Sequence, residues 1–124
     1  MRNRILSALA LVTLISVSAC ATVNKHVSKG FDAYTKNDYK TAEIEFLKAL
    51  EDDKDDPYAN LNMGALYQAT GRPQLAVPLY LKTIEKGKNV RPNRKANNKD
   101  ASPTLAEIAQ KNLDAMLAAG QKIK

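Results

Sequence analysis

The chain contains no Trp, two Phe, one His and one Cys, and each scarcity removes a class of protein. A lone Cys forms no internal disulfide and no Cys-based zinc site, and a lone His supplies no His pair for a metal. No apolar run approaches the ~20 residues that a bilayer-spanning helix needs. A length of 124 residues gives room for one small domain and not for a large multi-domain enzyme. Charge of one sign is also in short supply. Arg2 and Arg4 sit in an N-terminal segment expected to be removed; the remainder carries 17 basic and 13 acidic side chains, a net charge of +4. With no aromatic residues interleaved among its cations, the chain does not read as a nucleic-acid binder.

What is present starts with an export signal. Met1 to Arg4 is a short basic head, and Ile5 to Val17 follows without a charge. Its 13 residues fall within the ~7–15 of a signal-peptide core. The core runs into Val17-Ser18-Ala19-Cys20, small side chains ahead of a thiol. This order resembles the bacterial lipobox. The resemblance implies cleavage before Cys20, a diacylglycerol on its sulfur and an acyl chain on the freed amine, with no other cofactor. Ala21 stands where such proteins carry Asp as an inner-membrane retention signal, so the expected address is the outer membrane, facing the periplasm. Residues 1–19 are then the signal peptide, and residues 20–29 the lipidated Cys and a polar tether containing Lys25, His26, Ser28 and Lys29. The competing reading of Cys20 is a free thiol beside an uncleaved anchor.

The remaining chain repeats itself. A shift of 34 residues pairs Gly30 with Gly64, Ala42 with Ala76, Phe46 with Tyr80, and Leu47-Lys48 with Leu81-Lys82. Val27 falls on Leu61, Leu50 on Ile84 and Glu51 on Glu85. Within each copy apolar residues recur at helical spacing, such as Ile44, Leu47 and Leu50, then Leu75, Leu79 and Tyr80. Asn37-Asp38 and Thr70-Gly71-Arg72 interrupt that spacing, which makes each copy a helix–turn–helix. Asp56-Pro57 offers a side-chain cap followed by a Pro at the first helical position, Arg72-Pro73 starts a helix similarly, and Gly87 ends it. Pro78, deeper in that helix, removes one backbone hydrogen bond. Helices are predicted at about 24–36, 39–53, 57–69 and 73–86, with ends good to ~2–4 residues.

These residues resemble the tetratricopeptide (TPR) family over about Asn24 to Gly87, as two units of about 24–56 and 57–87. Gly30, Ala42 and Phe46 occupy the family's places in the first unit, and Gly64, Tyr67, Ala76 and Tyr80 in the second. His26 and Asn60 stand where the family has an early Trp. The resemblance implies an all-α fold, a short solenoid of stacked helix pairs. Two units bury little continuous core, so a third layer is expected. Ser102-Pro103 reads as its start, and Leu105, Ile108, Ala109, Leu113, Met116 and Leu117 form a broad apolar face. A capping helix over residues 103–119 is the expectation. Residues 88–102, basic and Asn-rich with no apolar period, read as a loop.

Catalytic chemistry is sparse. No Gly-rich phosphate loop, identifiable Ser–His–Asp set or metal-ligand spacing is present. His26 reads as a solvated side chain. The acidic run Glu51 to Asp56 lacks the alternation, central Gly and distal Glu of a calcium loop, and reads as a solubilising turn. No enzyme is expected.

Two surfaces remain. In TPR proteins the first helices line a groove for a peptide or protein, which by position implicates Val27, Phe31, Tyr34, Leu61, Ala65 and Gln68. Some of these could equally be core. The carboxylate clamp of chaperone-binding members is missing apart from Asn62. The second surface is cationic: Lys82, Lys86, Lys88, Arg91, Arg94, Lys95 and Lys99, opposed in sequence only by Glu85, with Lys88, Arg91, Arg94, Lys95 and Lys99 forming a candidate anion-binding loop. The leading expectation is an outer-membrane lipoprotein that holds a protein or peptide partner of a pilus, tight-adherence or secretion type of envelope machine. The alternatives are a self-associating structural lipoprotein, or a binder of an anionic envelope ligand.

Overall fold

The computed structural model describes residues 23–92 and 102–120. They form five helices: α1 (Lys25–Thr35), α2 (Tyr39–Asp52), α3 (Pro57–Ala69), α4 (Pro73–Lys86) and α5 (Leu105–Ala118). The protein is all-helical over these residues, and no strand occurs among them. The expected signal peptide, Cys20 and most of the basic loop lie outside the described residues.

Each start has a local cause. The Asn24 side chain accepts from the His26 N–H, Asp38 from Thr41, and Asp56 from both Tyr58 and Ala59. These bonds satisfy amides that a helix leaves free at its first turn. Pro73 opens α4, but Arg72 makes no side-chain cap; its guanidinium is engaged elsewhere. The start of α5 differs from the expected Ser102-Pro103. Thr104 is the cap, and it forms a reciprocal box in which Glu107 N–H donates to its hydroxyl and Thr104 N–H donates to the Glu107 carboxylate. A carboxylate three residues after a Thr is the stronger start signal.

The two hairpin turns share one geometry. Asn37 (φ 62) and Gly71 (φ 72) both lie in the left-handed region, and they are separated by the same 34 positions as the other repeated residues. After each, the next amide reaches back five residues, Asp38 N–H to Ala33 C=O at 3.0 Å and Arg72 N–H to Tyr67 C=O at 2.8 Å. This closes the preceding helix by the Schellman pattern.

Packing runs in chain order. α1 packs on α2, α2 on α3, α3 on α4 and α4 on α5, while α3 also touches both α1 and α5. In both hairpins a glycine faces an aromatic ring. A Cβ on Gly30 would lie 2.5 Å from a Phe46 ring carbon, and one on Gly64 would lie 2.8 Å from a Tyr80 ring carbon. Ala42, Phe46, Met63 and Leu66 fill the centre of one cluster; Leu61, Ala76, Tyr80, Leu105 and Met116 fill the next. Burial pushes the Tyr80 phenol up to about 12, and its hydroxyl donates to Gln68 at 2.7 Å.

α2 buries Ala42 and Phe46, which recur at 34 positions, and not its largest aliphatic residues. Ile44 and Leu47 are 45% and 44% exposed, whereas Ala42, Phe46 and Ala49 are fully buried. Small residues flanking one ring let α2 approach its neighbours closely, and the branched residues of the same helix are left outside. Leu75 is likewise exposed, while Tyr80 is enclosed.

Residues 88–92 are tied down. Leu105 N–H donates to Val90 C=O at 2.7 Å, Ala106 N–H to Gly87 C=O at 3.3 Å, and the Tyr58 hydroxyl to Arg91 C=O at 2.7 Å. The segment after α4 therefore returns along the first turn of α5.

Candidate functional site

Three helices that touch in sequence order, α1, α3 and α5, enclose a cavity of about 400 Å³ with Pro92 at one side. Its volume lies in the ~300–1,000 Å³ range of small-ligand sites. Val27, Phe31 and Leu61, three of the six residues named from the sequence for a groove, stand on its wall. Val27 and Leu61 double as core residues, at 2% and 9% exposure, while Phe31 is 52% exposed.

The other three predicted groove residues lie elsewhere. Tyr34 packs beside Tyr39 with ring centroids 5.5 Å apart. Gln68 holds the Tyr80 hydroxyl through its Oε1. Ala65 is half-buried and off the wall. Spacing does not point to Val23, Ser28, Tyr58, Asn62, Leu105 and Ile108, which complete the lining with Pro92. The i, i+3 pair Leu105 and Ile108 was the available signal. It required knowing that α5 lies beside α3 as well as on α4.

His26 is not a solvated side chain. Its Nδ1 lies 2.6 Å from Glu45 Oε2, and the two side chains are only 18% and 14% exposed. Lys48 reaches the other carboxylate oxygen at 2.8 Å. With Glu45 ionised, Nδ1 carries the donated proton. The hydrogen bond from His26, followed by that from Lys48, lowers the Glu45 carboxyl from 4.5 to about 2. A folded-state value below the unfolded one means that this contribution is complete above about pH 4.5 and is lost as pH falls towards about 2. Thermal midpoints measured across that window should fall with acid, and Glu45→Gln should flatten the fall while lowering the midpoint at neutral pH. An unchanged slope in the variant would remove Glu45 from the acid response. Glu43, held low by its hydrogen bond from Arg72, and Asp55, held low by Lys82, act in the same direction.

A second link uses the Arg72 side chain, which does not cap α4. Arg72 donates from both terminal nitrogens to the two oxygens of Glu43, each at 2.9 Å, and lies 4.5 Å over the Tyr67 ring. The fork fixes α2 against the α3–α4 turn with a geometry that Lys cannot reproduce.

The cationic stretch is opposed by more than Glu85. Asp55, from the acidic turn, lies 2.9 Å from Lys82 and 3.6 Å from Lys86. Arg91 donates to the Ser102 carbonyl oxygen, and Lys88 is exposed. Arg94, Lys95 and Lys99 fall outside the described residues, so the structure brings together only part of the anion-binding candidate. The acidic turn itself is spent on structure: Asp52 accepts from Asn24, Asp53 from the Asp55 amide, and Asp56 caps α3. Among the described residues no three His, Cys, Asp or Glu side chains converge to hold a metal, and no helix is long and apolar enough to cross a membrane. What the site offers is an apolar hollow with an aromatic at its rim. No protein-family model, curated protein or solved structure matches the chain.

Proposed function

We propose that the chain is a TPR-like lipoprotein, anchored in the outer membrane through lipidated Cys20 and facing the periplasm, where it holds a protein partner of an envelope assembly. The observation that carries this reading is Phe31, 52% exposed at the rim of the cavity. An exposed aromatic beside an apolar hollow costs solubility unless something covers it, and such residues are the usual anchors of interfaces. The TPR-like reading draws support from features repeated at 34 residues: the left-handed turns at Asn37 and Gly71, and the glycine–ring contacts of Gly30 with Phe46 and Gly64 with Tyr80. It also draws support from α5, which packs on α4 and touches α3 much as α3 packs on α2 and touches α1. On this reading the protein does no chemistry of its own and binds no nucleic acid.

A photoreactive phenylalanine analogue at position 31 should crosslink in intact cells to a discrete envelope protein, and the same analogue at exposed Lys111 should not. Phe31→Ala should then weaken that partner by more than about 2 kcal/mol, roughly thirtyfold. A folded Phe31→Ala protein that keeps its partner would place binding on another surface.

Exposed Ile44, Leu47 and Leu81, at 44–53%, favour self-association as the second reading. Sedimentation of the delipidated protein separates the two, because a partner-holding module stays monomeric alone.

A further inference from the structure

We propose that the cavity between α1, α3 and α5 holds one acyl chain of the lipid borne by Cys20. This inference rests on the lipoprotein reading above and is independent of the partner's identity.

The first observation is where the described chain begins. Val23 is part of the cavity wall, and Cys20 precedes it by three residues. Three residues span at most ~11 Å when extended. The acyl chains therefore start within a short reach of the hollow.

The second is the chemistry of the wall. Val27, Phe31, Leu61, Leu105 and Ile108 supply hydrocarbon, and the nearby polar groups are mostly committed. The Tyr58 hydroxyl donates to Arg91 C=O, and the Asn62 amide donates to Tyr58 C=O at 2.8 Å. A peptide strand entering the cavity brings an N–H and a C=O with every residue, and this wall leaves most of them unpaired. An acyl chain brings none. Bilayer and cavity are both apolar, so the transfer of one chain is close to balanced. The balance tips because a filled hollow regains contacts that an empty one forfeits. The other chains remain in the membrane, and the domain is held with its α1 end against the bilayer.

The test uses the full lipoprotein in cells fed a palmitate analogue with a photoreactive group on its tail. After irradiation and digestion, label should appear on peptides containing Phe31 or Leu105 to Ile108 of the chain that carries it. Ser28→Trp, which fills the cavity from an exposed wall position, should abolish that crosslink while leaving the label on Cys20. Crosslinks confined to phospholipid, to a second copy or to another protein would overturn the proposal and leave the lipoprotein reading standing. Absence of label from Cys20 would overturn the lipoprotein reading and this inference with it. An undiminished crosslink in folded Ser28→Trp would place the chain outside the cavity.

Discussion

Phe46→Ala should lower the stability of the domain by about 3–5 kcal/mol, the usual cost of emptying a fully buried aromatic site. Small domains have about 5–15 kcal/mol in total, so the variant will stand near the edge of folding. Phe46 has no exposed surface, and it meets Gly30 so closely that a Cβ there would sit 2.5 and 2.6 Å from two ring carbons. Gly30→Ala should therefore destabilise as well, although Ala is the better helix former by ~1 kcal/mol. In a Phe46→Leu background the same Gly30→Ala change loses its steric conflict and should become neutral or favourable. Circular-dichroism melts of the four proteins give the coupling directly. Additive effects of the two changes would show that the glycine and the ring do not share one contact.

Cys20→Ser should abolish lipid attachment completely. Ser lacks the thiolate that the lipobox chemistry requires, so the product should be an uncut precursor with no radiolabelled palmitate. The energetic consequence is large, because each buried methylene contributes ~0.8 kcal/mol to membrane affinity and two or more chains hold a protein for long periods. Gel mobility and label incorporation read the outcome. A Cys20→Ser protein that matures at the normal size with label would end the lipoprotein reading.

The helices of this chain were legible because their ends are written locally. Asp56-Pro57 and Pro73 mark α3 and α4 at the observed residues, Pro57 and Pro73. Where two start signals competed, the conspicuous Pro103 was the wrong one, and the Thr104–Glu107 box set the boundary. The inward face of α2 was marked by the repeat, through Ala42 and Phe46, and not by the helical spacing of Ile44 and Leu47. Ile44 and Leu47 are more hydrophobic than Ala42 and Ala49, yet closeness of approach selects the small residues and leaves the large ones outside.

The site was half legible. Val27, Phe31 and Leu61 were named from the resemblance, which lines a groove with the first helix of each unit; of these only Val27 and Leu61 are equivalent under the shift of 34. Tyr34 and Gln68 were taken by partners on α2 and α4, Tyr39 and Tyr80. The long-range pairs His26–Glu45 and Arg72–Glu43 join residues 19 and 29 apart. No local pattern announces which carboxylate on α2 will face which cation, since that depends on the rotation of α2 about its axis.

The first turn of α1 also has a mechanical meaning. A pull on the chain ahead of Val23 enters the fold at Asn24, where Asn24 is held by Asp52 at 3.0 Å and His26 by Glu45 at 2.6 Å. Val27, one residue further, is lodged among Ala49 and Ala59. Three attachments, two polar and one apolar, thus share tension where the helical domain begins. Force arriving there is passed sideways into α2 and α3 as well as along α1.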